Sequence, residues 1–273
     1  MLSLSTLSQA SIDRILETVE GGVANVQDIY PLAPLQEGIL YHHVSAEHGD
    51  PYIMQSLFAF DSLERFEGFA QALQQVIDRH DILRTGVVWE GLEEPSQVVW
   101  RTARLPVQAI ELDPADGDIA AQLHRLFDGR HYRMDVTQAP LLRLVRARDE
   151  AGQRVVAMLL FHHMALDHSA LEVVCHEMQA CLLGKAELLG QAVPFRNYVA
   201  QARLGISEQE HEGFFRQMLG DISEPTLPYG LQDVQGDGDN IEEISLALAP
   251  QLSRRLRAQA RQLGVSAASL FHM

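Results

Sequence analysis

The sequence predicts an α/β fold of the α+β two-layer kind, with helices packed on sheet, and three observations carry that prediction. Short apolar runs of strand length, "YIMQSLFAF" and "VVAMLLF", are interleaved with segments of helical periodicity, of which Phe66, Phe69, Ala70, Leu73, Val76 and Ile77 form the clearest stripe. Strand candidates come in adjacent pairs separated by turn chemistry, "EGLEEP" in one case and "DEAGQ" in the other. The 273 residues are 47% apolar and 21% charged, enough chain and enough apolar surface for one large domain or two modest ones.

The elements follow in order. The opening "MLSLSTLSQASIDRILETVEGG" places Ile12, Ile15, Leu16 and Val19 on one helical face and stops at Gly21–Gly22; it lacks a basic n-region and meets Asp13 and Arg14 early, so a secretory signal is not expected. In "DIYPLAPLQEGILYHH", Pro31 and Pro34 keep the chain extended before Leu35. "YIMQSLFAF" is a strand, and Asp61, with Glu64 three residues on, caps the helix after it. "RHDILRTGVVWEG" passes from helix end to strand, and "PSQVVW" returns as its hairpin partner.

Between Pro106 and Asp149 come an acidic loop, a helix around "IAAQLHRLF" and the strand "LLRLVRARD". That strand pairs with "RVVAMLLF", whose unbroken apolar run predicts burial on both faces. Ser169 and Glu172 form an S-x-x-E capping box, which predicts a helix starting at Ser169. "PFRNYVAQARLG" and "EQEHEGFFRQMLG" are helical, and "DISEPTLPYGLQDVQGDGDN" has linker composition. "IEEISLAL" alternates as a strand, "APQLSRRLRAQARQLG" is an amphipathic helix, and "VSAASLFHM" starts a further helix capped by Ser266. The expected organisation is a leading helix and linker (1–24), a mixed lobe (25–220), a linker (221–240) and the start of a second lobe (241–273).

The net charge is −16, from 37 acidic and 21 basic residues, which argues against nucleic acid as a partner. Cys175 and Cys181 sit six apart on one predicted helix, on different faces, so no disulfide is expected and a reducing, cytoplasmic setting is. "VVAMLLF" is far too short to span a bilayer, so no membrane association is expected.

The chemistry concentrates in "FHHMALDHSALEVV". A metal site is disfavoured, because His162 and His163 are adjacent at a strand end, where successive side chains point to opposite faces. Convergence of His163, Asp167 and His168 through the loop stays open, without a cysteine or glutamate to complete a familiar ligand spacing. General acid/base work fits the layout better. A buried strand delivers His163 to its carboxyl end, a helix N-terminus follows, and imidazole exchanges protons near neutrality. A satisfied polar loop is the other reading, and the residues alone leave both open. No G-x-S-x-G elbow and no Gly-rich phosphate loop occurs.

"HHMALDH" resembles the HHxxxD signature of chloramphenicol-acetyltransferase-like acyltransferases, and the chain is most similar to the condensation domains of non-ribosomal peptide synthetases. "YPLAPLQEGILYHH" resembles that family's first motif, "RHDILRT" its second and "PFRNYVAQA" its fourth, in the same order. Gly is commonest after the Asp of the signature, where this chain has His168.

The resemblance implies a chloramphenicol-acetyltransferase-like lobe followed by the beginning of a similar one. It implies amide-bond formation between a carrier-bound acyl or peptidyl thioester and a carrier-bound aminoacyl amine, with His163 catalytic. His162 would pack in the site, Asp167 would hold the loop through a salt bridge to Arg84, and helix donors after Ser169 would face the tetrahedral intermediate. No intrinsic cofactor is implied: substrates arrive on the phosphopantetheine arms of upstream and downstream peptidyl carrier proteins, beside an adenylation domain. An epimerisation domain, a free-standing acyltransferase of this fold and a non-catalytic carrier-docking module are the alternatives.

Overall fold

The computed structural model describes residues 4, 7–230 and 244–272. Two compact units divide the chain, 1–230 and 231–273.

The first unit holds two sheets. β1 (Val26–Pro31), β4 (Ser96–Trp100) and β3 (Thr85–Val88) form an antiparallel sheet in the order β1-β4-β3. β2 (Ile53–Phe60), β7 (Arg154–His162), β6 (Leu142–Asp149) and β5 (Val107–Ala109) form the second, in the order β2-β7-β6-β5, antiparallel except where β5 runs parallel to β6. Both predicted hairpins are present, β3 with β4 and β6 with β7. β1 and β5 lie in segments where the sequence showed no period-two signal: β1 carries Pro31 and β5 is three exposed residues long.

β7 is the centre of this unit, and its two faces meet two cores. Val155, Ala157, Leu159 and Phe161 point to one side, against α3 (Leu63–Arg79) and α5 (His168–Leu182), where they meet Phe66, Leu73, Ile77, Val174 and Met178. Val156, Met158 and Leu160 point to the other, with Ile53, Val87, Val145, Met164, and Ile119 and Leu123 of α4 (Ile119–Leu126). This two-sided burial is why the run lacks alternation. The period of two places His162 on the same face as Leu160, so the strand itself buries that ring.

α1 (Gln9–Thr18) covers the first sheet, its Ile15 packing with Val19 against Val88, Val98 and Trp100. α2 (Pro34–Ser45) begins with Pro34 at its first position, so the extended segment stops at Ala33. The amide hydrogen that proline lacks is one that no helix start needs. Ser62, not Asp61, caps α3: its hydroxyl accepts the Arg65 N–H at 3.2 Å, while Asp61 makes an exposed 3.3 Å ion pair with Arg65. α6 (Phe195–Leu204) and α7 (Glu208–Leu219) match the two predicted helices. Cys175 and Cys181 are both free on α5.

In the second unit, α8 (Pro250–Leu263) and α9 (Ala267–Phe271) are helical as expected, and Ser266 caps α9. The predicted strand "IEEISLAL" is not one over residues 244–248, where Ile244 and Leu246 are almost fully exposed; residues 241–243 lie outside the described residues. Alternation needs a partner ladder to become a strand, and none pairs with this segment among the described residues. Residues 231–240 of the predicted linker also lie outside the described residues.

Candidate active site

β7 ends at His162 and the chain then turns sharply, with Ala165 N–H donating to His162 C=O at 3.0 Å. The His162 ring is fully buried and its nitrogens are both engaged. Nδ1 accepts the Met164 N–H at 3.1 Å, so the ring proton lies on Nε2, which donates to Asp50 Oδ2 at 3.0 Å. The same carboxylate oxygen accepts from Nδ1 of buried His43 at 2.5 Å, and Oδ1 accepts the Tyr52 N–H at 2.9 Å. His162 is therefore more than the packing residue expected: it is one end of a buried His43–Asp50–His162 chain. Burial acts to raise the Asp50 carboxyl, but the hydrogen bonds from His162 and His43 outweigh it and hold the group below the usual carboxylate range.

His163 differs from its neighbour. Its backbone N–H donates to Tyr52 C=O at 2.9 Å, while its half-buried ring has no hydrogen-bond partner among the described residues. Tyr52 Oη lies 3.0 Å from His42 Nδ1. The two histidine pairs of the sequence, His42–His43 on α2 and His162–His163 after β7, are thus tied together by Asp50 and Tyr52.

Three expectations about the loop are corrected. Asp167 does not pair with Arg84. It is the N-cap of α5, its side chain accepting the Ala170 N–H at 2.7 Å, so the helix starts at His168 rather than at Ser169. Aspartate caps as well as serine does, and here it comes two residues earlier with the extended backbone a cap requires. Ser169 is an exposed residue of the first turn, and the Asp167 carboxylate takes the place at the helix terminus that had been expected to face an intermediate.

Arg84 is buried beneath the first sheet. It donates to Gln27 Oε1 at 2.8 Å, to Asp78 C=O at 3.2 Å and to the Trp100 carbonyl. Burial lowers its pKa against the pull of Asp81 and Asp78. It ties the end of α3 to the ends of β1 and β4. His168 is exposed on the first turn of α5, 3.7 Å from equally exposed Glu172, a pair worth little.

The other family-like motifs interlock around the loop. Gln36 of "PLQEG" is buried, accepts the Ala33 N–H at 2.9 Å, and donates to Met164 C=O at 3.0 Å and to Gln97 Oε1 at 3.1 Å. It therefore couples the first sheet to the histidine turn. Asp81 of "RHDILRT" accepts the N–H of Phe195, at the start of α6, at 3.0 Å. Gln36, His43, Asp50 and Tyr52 were not singled out from the sequence. The sequence signal for Gln36 was its place in "PLQEG", a motif that carried the family resemblance without assigning this residue a role.

His43, Asp50 and His162 bring three ligand-type atoms within 4.8 Å of one another. Their geometry is that of hydrogen bonds: tetrahedral ligands about 2.0–2.1 Å from an ion lie roughly 3.3 Å apart, against the 2.5 and 3.0 Å here. With His162 Nδ1 already accepting from Met164, the Nε2 proton satisfies Asp50 without a cation.

The depressed Asp50 pKa has a measurable consequence. Its ionisation adds stability above the unfolded-state value of about 4, and that contribution is lost as pH falls from there towards the lower folded value. The urea midpoint of the unsubstituted chain is expected to exceed that of Asp50→Asn most at about pH 6, with the gap narrowing by about pH 3. A gap constant across that range would contradict the assignment.

A family model described as "Condensation domain" matches residues 26–273. Malpinin synthetase of Mortierella alpina is 51% identical over 273 residues, covering 100% of this chain and 4% of that protein. A linear gramicidin synthase of Brevibacillus parabrevis is 32% identical over 271 residues, covering 94% of this chain and 3% of that protein. The chain thus spans only a few per cent of the length of these curated relatives. Among solved structures, the condensation domain from the Monacolin K polyketide synthase MokA superposes with a TM-score of 0.64 at 18% identity, covering 89% of this chain and 57% of that one.

Proposed function

The chain belongs to the condensation-domain family, and from that premise we propose that it supplies the histidine-bearing lobe of an amide-forming acyltransferase of non-ribosomal peptide synthesis. The acyl donor is a thioester and the acceptor a primary amine, both carried on phosphopantetheine arms of peptidyl carrier proteins, with an adenylation domain adjacent in the assembly. The observation that carries this reading is the contrast between the two histidines: His162 is held by two hydrogen bonds, while the His163 ring, on a hydrogen-bonded turn, has no hydrogen-bond partner among the described residues. A free imidazole on an immobile backbone is what a general base requires.

The step balances without a redox partner. The amine nitrogen attacks the thioester carbonyl, forming the C–N bond, and the tetrahedral intermediate collapses with cleavage of C–S. His163 takes a proton from the nitrogen and returns it to the departing thiolate. The thioester supplies the driving force. An amine with a pKa near 8 is largely protonated at neutral pH, so holding it neutral against His163 is a substantial part of the task.

In this reading residues 25–220 are the first acetyltransferase-like lobe, 221–240 a linker and 241–273 the beginning of a second. A reducing, cytoplasmic setting suits the two free cysteines and the thiol-bearing substrates. Among the described residues no helix is long and apolar enough to cross a membrane.

The test uses the 273-residue chain with two carrier proteins, one bearing an acyl thioester and the other an aminoacyl thioester. Amide product on the acceptor carrier, detected by mass spectrometry, is the expected result. Carrier binding without any product would replace this reading with that of a docking module. Epimerised donor without amide would replace it with that of an epimerisation domain.

A further inference from the structure

We propose that Asp50 is a positioning residue for this reaction: by accepting from His43 and His162 with one oxygen it fixes the His162 tautomer, and through it the turn that presents His163. The proposal rests on the reading of His163 as the reacting base. Asp50 lies 112 residues from His162 in sequence and outside every family-like motif of the chain.

Asp50 is held firmly from several sides. Gly49 has φ +63°, and a Cβ there would lie 2.4 Å from the carbonyl oxygens of both Gly129 and Arg130, so only glycine allows this approach. Asp50 N–H donates to Gly129 C=O at 2.6 Å. Arg133 clamps the segment from outside, donating to the carbonyls of Ala46 at 2.9 Å, Gly49 at 3.4 Å and His43. Asp50 itself is almost fully buried. A carboxylate desolvated this far is costly unless each lone pair it presents is used, and three donors meet it.

The consequence reaches His163 from both sides. Its own N–H is bonded to the Tyr52 carbonyl, and Tyr52 N–H is bonded to Asp50 Oδ1. Met164, the next residue, donates its N–H to His162 Nδ1, which can accept only while the ring proton stays on Nε2, facing Asp50. Asparagine at position 50 offers one acceptor oxygen for three donors and turns an NH₂ group towards N–H groups. His162 then gains from moving its proton to Nδ1, which breaks the Met164 bond and releases the turn.

Nitrogen NMR of the histidine rings and the amide-forming assay test this together. The unsubstituted chain is expected to show His162 with a proton on Nε2 and a bare Nδ1, and Asp50→Asn a mixture of tautomers. Turnover in Asp50→Asn is expected to fall about 10- to 100-fold in kcat, less than the ~10⁴-fold lost when an aspartate that directly holds a catalytic base is replaced. KM for either carrier should stay within about twofold, since no substrate contact is removed. His43→Asn, whose amide nitrogen can stand in for Nδ1, is expected to retain turnover that His43→Leu loses. This pair decides the matter should Asp50→Asn fail to fold.

A His162 proton on Nδ1 in the unsubstituted chain would overturn the proposal, as would unchanged kcat in Asp50→Asn or equal kcat in the two His43 variants. Full turnover in His163→Ala would instead sink the reading of His163 as the base, and the NMR arm would still report whether Asp50 sets the His162 tautomer.

Discussion

His163→Ala is expected to lower kcat/KM for amide formation by about 10²- to 10⁴-fold, the usual range for a lost general base. That corresponds to roughly 3–5 kcal/mol of transition-state stabilisation. The site geometry separates this loss from misfolding. The His163 ring is half-buried and makes no hydrogen bond among the described residues, so its removal should change folding stability by no more than about 0.5 kcal/mol. The loss should fall on kcat, because the backbone N–H that anchors the residue to Tyr52 survives the substitution. The measurement is a kcat and KM determination beside a urea melt. Turnover within about threefold of the unsubstituted chain would remove His163 from the reaction, and a melt shifted as far as a core variant would make its role structural.

Leu160→Ala is expected to have the largest effect on stability, about 2–5 kcal/mol. Leu160 has no exposed surface and lies on the face of β7 that joins the cluster of Ile53, Val145, Ile119 and Leu123, two residues before His162. β7 is bonded on both sides, to β2 and to β6, so the walls of the new cavity cannot collapse by moving the strand. The strand carries both the core and the histidine turn. The urea midpoint should therefore fall with an unchanged slope, while Leu160→Met, close in volume, should cost under about 1.5 kcal/mol. A loss below about 1 kcal/mol for the alanine variant would mean that this core relaxes freely, against the packing of a doubly flanked strand.

Much of the fold was legible because its signals are local. The two hairpins follow from paired apolar runs across short turns, and α3 follows from its stripe of Phe66, Leu73, Val76 and Ile77. The burial of β7 on both faces follows from the absence of alternation in "VVAMLLF". Boundaries were less legible, since Ser62 and Asp167 compete with Asp61 and Ser169 for caps and only backbone angles decide which wins. The segment 244–248 shows the limit of pattern alone: alternation without a partner strand leaves Ile244 and Leu246 exposed.

The order of amino acids was enough to specify the hairpin that ends at the histidine pair, the position of His163 just past a buried strand and, through its motifs, the family. Which side chain holds which was settled in three dimensions. There Asp167 caps α5 and Arg84 binds the carbonyls beneath the first sheet, where a bridge between them had been expected. There also His43, Asp50 and His162 join into one buried chain. The physical reason is distance along the polypeptide. Caps and hairpins are settled within a few residues, whereas Asp50 meets His162 only because the pairing of β2 with β7 sets Ile53 opposite His162. That register, fixed by which face of each strand is buried, has no signature in the spacing of either motif.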